Sequence, residues 1–149
     1  MNLARKLALA SALALVASVG MRAAEPAWLV APLNDQQAIA GCSWLASAPS
    51  LGDGYVFMAD YDDAKILMNI DGADTSLVAV NEGGRLRGVG DVVQRTYRAD
   101  GIEVQARYEA TWVCPAGAEG CEVTEFDATY EVRKGARTQL VEASGAAGC

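Results

Sequence analysis

Between Ile102 and Trp112 the chain alternates without a break. Ile102, Val104, Ala106, Tyr108, Ala110 and Trp112 are apolar, and Glu103, Gln105, Arg107, Glu109 and Thr111 between them are polar. Side chains of a strand point alternately to opposite faces, so this pattern predicts a long strand with one dry and one wet face. TEFDATYEV repeats it, with Phe126, Ala128, Tyr130 and Val132 as the inward set. YVFMADY, KILMNI, TSLVAV, VVQRTY and RTQLVE are further strand candidates. GCSWLA fits the end of a helix or a strand.

The separators carry turn chemistry. YDDA, DGAD, NEGGRLRGVGD, ADG and RKGA lie between the strands, and Asp71-Gly72 and Asp100-Gly101 are hairpin pairs. Strands joined in sequence by short turns make a meander. With about seven or eight strands and a single wet face, closure is favoured because it removes unpaired edges. The expected fold is all-β: a small antiparallel meander, closed or nearly closed into a barrel and tied by disulfides, with a β-sandwich as the alternative. Trp44, Phe57, Tyr108, Trp112, Phe126 and Tyr130 fall on or near inward positions and are assigned to the core.

Ahead of the strands the pattern changes. Arg5 and Lys6 precede the apolar run LALASALALVASVG, of roughly 14 residues, which suits a signal peptide better than a membrane span. Residues 1–24 are therefore read as a secretory signal with its cut between 20 and 24, and an uncleaved anchor is the rival. The box IAGC, Ile39 to Cys42, lies too far from the apolar run to mark lipidation. Residues 25–41 form a lead-in segment with two prolines, in which Asn34 and Gln37 could start a short helix. Residues 42–149 make a single β domain.

Export changes the charge. Losing Arg5, Lys6 and Arg22 leaves nine basic residues against 19 acidic, a net charge of −10 instead of −7. Such a surface repels a nucleic-acid backbone and attracts cations or a basic protein partner. Export also gives the four cysteines an oxidising compartment, periplasmic or extracellular. The short CPAGAEGC loop favours a Cys114–Cys121 bridge, which leaves Cys42 with Cys149. Register constrains the first pair. Inward residues on both flanking strands are even-numbered, so directly opposed residues have an even sum, and Cys114 with Cys121 does not. One residue must be absorbed by the loop or by a bulge.

The chemistry is sparse. The chain has no histidine, which removes Ser-His-Asp and Cys-His catalysis, and GGRLRGVG lacks the lysine of a phosphate loop. No catalytic residue is assigned, no cofactor is expected, and the protein is read as a non-enzyme. Asn69, Asp71 and Asp74 are a weak calcium set without the spacing of an EF-hand. Arg85 and Arg87, with Arg95 and Arg98 further on, are the basic concentration of an acidic chain, and Arg85 and Arg87 are candidate partner contacts that could grip a carboxylate. Trp28, in the lead-in segment, is a third candidate.

In layout the chain is similar to the periplasmic C-type lysozyme inhibitors, small disulfide-tied β-barrels that present a Ser-Gly and Tyr loop to the enzyme. Here Ser144-Gly145 is followed by AAGC without a tyrosine. The resemblance implies a lysozyme-inhibitor-like activity as one alternative. The leading expectation is an exported periplasmic domain that binds or inhibits a protein partner without catalysis. A structural envelope protein without a dedicated ligand, and an enzyme using a carboxylate pair, are the alternatives.

Overall fold

The long alternating stretch becomes the backbone of a barrel. The computed structural model describes residues 28–81 and 83–149; the segment read as a signal peptide lies outside them. Nine strands follow one another: β1 (Val30–Ala31), β2 (Ser43–Ser47), β3 (Tyr55–Asp60), β4 (Ile66–Ile70), β5 (Ala73–Ala79), β6 (Val92–Ala99), β7 (Ile102–Val113), β8 (Val123–Lys134) and β9 (Arg137–Gly148). No helix occurs among the described residues.

From β2 to β9 each strand pairs antiparallel with its neighbours in sequence, and β2 pairs with β9, so eight strands close on themselves. β1 is an added strand on β4, placing Val30 beside Ile70. The lead-in segment is thus part of the sheet. GCSWLA resolves as strand. The expected helix after Asn34 does not form, because its donors are taken elsewhere: the N–H groups of Asn34 and Asp35 both donate to the Asp74 carboxylate, at 2.8 Å each. Gln36 completes this arrangement by accepting from the Tyr55 N–H and donating to the Leu33 carbonyl.

Eight strands leave an interior just wide enough to be filled by side chains. Here aromatic rings fill it. Phe57, Tyr97, Tyr108, Phe126 and Tyr130 are all buried, and Trp44 nearly so. Tyr108 packs edge-on against Phe126 and Tyr130, with ring centres 5.2 and 5.8 Å apart. The Tyr97 and Tyr108 hydroxyls share a hydrogen bond of 3.0 Å. Burial raises the pKa of all three tyrosines, well above the usual value for Tyr108 and Tyr130.

β3 and β4 are buried on both faces. Their outward side chains Met58 and Leu67 form a second cluster with Leu33, against which Ala38 and Ile39 pack. The lead-in segment therefore covers the outside of this part of the wall.

The register of β7 against β8 breaks once. Ala110 lies opposite Phe126, but Trp112 lies opposite Glu125 and Val113 opposite Thr124. This bulge absorbs the extra residue that the cysteine parity demanded. It also corrects one assignment: Trp112 does not face the core and is 40% exposed, because the bulge ends the alternation at Ala110. Beyond it, the Val123 N–H points to the Cys114 sulfur at 3.3 Å, and Cys114 is bridged to Cys121. The second bridge, Cys42–Cys149, links residues 107 apart in sequence at the end of the β2–β9 seam.

Candidate functional site

Both bridges sit at the same end of the barrel. Antiparallel connection brings the start of β2, the turn after β3, the 80–91 loop and the 114–122 loop to that end. The opposite end carries the turns at Asp71-Gly72, Asp100-Gly101 and Gly135. At the bridged end an open cleft of about 800 Å³ is lined by Trp44, Tyr61, Arg85, Arg87, Arg95 and Glu122, with Cys114, Cys121 and Cys149 at its margin.

Arg95 forms the floor. It lies on β6 between the inward residues Val93 and Tyr97, and its side chain is only 13% exposed. Its Nη1 donates to both oxygens of Asp63, at 2.7 and 2.9 Å, and its guanidinium stands 4.9 Å from the centre of the Trp44 ring. A buried charge needs such partners. Asp63 comes from the β3–β4 turn, where its φ of 60° suits the short polar side chain of an aspartate. Gly83 lies against the Arg95 side chain, and a β-carbon there would collide with Arg95 Cγ at 2.6 Å. The first glycine of GGRLRGVG is needed for that close approach.

From Gly83 the loop crosses the mouth. Leu86 packs against the main core and leaves Arg85 and Arg87 exposed on either side of it. Asp91 fixes the end of the loop, accepting 2.8 Å hydrogen bonds from the N–H groups of Arg87 and Gly88, which hold its carboxyl below its ordinary pKa. Its carboxylate is spent on backbone. Arg85 and Arg87 make no ion pair with any carboxylate among the described residues. Every other described arginine does: Arg95 with Asp63, Arg98 with Glu103, Arg107 with Glu109, Arg133 with Glu131, and Arg137 with Asp71.

The structure thus gathers Arg85, Arg87 and Arg95 and separates them from the other candidates. Arg98 points outward to Glu103 at 2.9 Å. Trp28 is 62% exposed, but beside Leu29, whose carbonyl accepts from the Asp71 N–H at the opposite end. The three residues of the calcium set have separate commitments. Asn69 is buried and donates to the Pro32 carbonyl at 2.9 Å. Asp71 is held by Lys134 and Arg137 at 2.6 Å each, and Asp74 receives the two lead-in N–H groups. Among the described residues no group of three or more acidic or cysteine side chains is placed to hold a metal.

Ser144-Gly145 does not form a presenting loop. It lies within β9, opposite Ser47 and Ala46 of β2 and Asp127 and Phe126 of β8. Trp44 and Asp63 are the parts of the site that the arginine pattern did not reveal. Asp63 stands 32 residues from Arg95 in sequence, and no local signal joins either it or Trp44 to that arginine. Compared with known proteins, the chain matches no family model, no curated protein and no solved structure.

Proposed function

We propose that this is an exported, non-catalytic domain that binds or inhibits a protein partner through the mouth at its bridged end. The observation that carries this reading is the pair Arg85 and Arg87. In a chain with 19 acidic residues, these two guanidiniums rim a cleft and form no close ion pair among the described residues, although the charge of Arg87 is felt by Asp91. Supporting features are a barrel filled by its own aromatic side chains, which leaves no interior ligand cavity among the described residues and a cleft at the mouth, and two disulfides, which fit an oxidising compartment. A periplasmic or secreted location rests on the same reading of residues 1–24. Net negative charge steers the domain at long range toward a basic protein, and the mouth then supplies the orienting contact.

Co-purification from periplasmic extract tests this. The oxidised wild-type protein should retain a partner at low salt and release it at high salt. The Arg85→Ser/Arg87→Ser variant should retain at most a tenth as much. Recovery of no partner, or equal recovery by both proteins, counts against the reading.

A further inference from the structure

Resting on that reading, we infer that the group taken by the mouth is a carboxylate-bearing peptide: an acidic segment of the partner, laid along the loop from Gly83 to Arg87. Three observations converge. The first is the charge just described, two exposed guanidiniums flanking Leu86. An arginine fork matches a carboxylate in shape as well as in sign, and two of them a dipeptide step apart can each meet one acidic side chain. The second is the backbone. Gly83, Gly84, Arg85 and Leu86 make no backbone hydrogen bond among the described residues, although they stand at the rim of the cleft. Main-chain donors and acceptors left unspent beside a groove are what an added peptide strand uses, and this favours a peptide over an isolated anion.

The third observation is the floor. Asp63, on the turn after β3 at this end, has its charge answered by Arg95 of the floor, and Asp91 is spent on the loop's own N–H groups. Two acids that would repel an acidic peptide are thereby answered within the fold. Glu122 remains in the cleft lining next to Cys121, and Asp62 and Glu119 are exposed on the turn and loop at the same end. The acidic outer surface is a longer-range repulsion, damped at physiological salt beyond about 8 Å, whereas the mouth arginines act at contact.

The test uses the full oxidised protein and labelled octaglutamate, read by fluorescence anisotropy, with octaglutamine, octalysine and a sulfated polysaccharide as comparison probes. Octaglutamate should bind, and octaglutamine should bind at least tenfold more weakly. Arg85→Ser and Arg87→Ser should each weaken octaglutamate several-fold, and together tenfold or more. Arg85→Lys/Arg87→Lys should recover only part of the affinity. Arg98→Ser, which removes an ion-paired arginine outside the cleft, should leave binding unchanged. Near-UV circular dichroism of each variant should match the wild type, since both loop arginines are exposed.

The inference is overturned if octaglutamate binds no better than octaglutamine, if the double variant binds it as well as the wild type, or if the polysaccharide is preferred. Should the partner of the co-purification experiment still depend on Arg85 and Arg87 in that case, the binding function stands and only its ligand chemistry fails. Loss of both results rejects the two together.

Discussion

Arg95 stands over Trp44, its guanidinium carbon 4.9 Å from the ring centre, and this contact joins the floor of the mouth to the aromatic core. Trp44 in turn packs against Tyr108 at 5.2 Å and Phe126 at 5.3 Å. A charge sunk this deep, 13% exposed, depends on Asp63 for its counterpart. Asp63→Asn keeps a residue that tolerates the positive φ but removes the charge. It should destabilise the protein by about 1.5–3 kcal/mol, the range for a hydrogen bond to a charged group. Combined with Arg95→Met, the loss should fall short of the sum of the two single effects, because the double change leaves no orphaned charge. A urea double-mutant cycle measures the coupling; strict additivity would mean that the pair is not energetically linked.

The two bridges should differ in weight. In the loop-entropy view, Cys42–Cys149, which spans 107 residues, contributes about 4.8 kcal/mol, and Cys114–Cys121, which spans 7, about 2.5 kcal/mol. The paired substitution Cys42→Ser/Cys149→Ser should therefore lower the urea midpoint clearly more than Cys114→Ser/Cys121→Ser. The long bridge also fastens the seam where the first barrel strand meets the last. Equal midpoints would show that its reach across the chain gives no advantage.

Much of this architecture is legible before any coordinates, and the reasons are local. Period-two alternation in β7 and β8 reports directly which side chains face in. Parity of the cysteine numbers called for one absorbed residue, and the bulge between Ala110 and Trp112 supplies it. That bulge is also why Trp112 leaves the core although its position is in phase with it, since nothing in the alternation marks where it stops. The apolar runs of β3 and β4 mark them as strands, but the expectation of a single wet face misses that both of their faces are buried. Leu33 and its neighbours cover the outer face. At the site, Arg85 and Arg87 stood out by charge alone. Their separation from Trp28 and Arg98, and their union with Arg95, Asp63 and Trp44, depend on which strands meet at which end of the barrel. No local pattern carries that.

Acid should loosen the far end through Asp71. The hydrogen bonds of Lys134 and Arg137 to Asp71 hold its carboxyl below its ordinary pKa. A carboxylate with a depressed folded pKa contributes stability that is present above its unfolded value, about 3.9, and is lost as pH falls through the folded value. Asp71→Asn preserves the positive φ of 53° and removes this titration. Thermal midpoints measured from pH 6 down to pH 2 should fall less steeply in the variant below about pH 4. Parallel slopes would assign the acid sensitivity to other carboxylates, among which Asp91 and Glu103 are also depressed.

The closing seam makes a sharper steric demand. Gly145 lies between Ala46 of β2 and Phe126 of β8, and a β-carbon on it would run into the Leu45 carbonyl oxygen and lie 2.9 Å from the Ala46 α-carbon. Both are backbone atoms of a paired strand, so neither can swing aside as a side chain would. Gly145→Ala should cost about 1–3 kcal/mol or more, in the range of overpacked cores, and hydrogen exchange should quicken in β2 and β9 before β7. Unchanged protection of the β2 amides would mean that the seam can widen freely.

Alkali should unfold the barrel from within. Tyr97, Tyr108 and Tyr130 are buried together in the barrel interior. Burial disfavours the tyrosinate, so the folded pKa of each is raised. For a group raised in this way, the stability is fully present below the unfolded value, about 10, and is lost as pH climbs from there toward the folded value. Each of the three hydroxyls can ionise cheaply only in the unfolded chain. Tyrosinate absorbance at 295 nm should therefore appear in two parts: one from exposed tyrosines, and one coincident with the collapse of the near-UV circular dichroism. Tyr108→Phe removes one of the three protons and the 3.0 Å bond to Tyr97. It should make the alkaline limb shallower even if stability at neutral pH falls. Titration of all five tyrosines before any loss of dichroism would show that the interior admits hydroxide while still folded, and would overturn the picture of a barrel sealed by its own side chains.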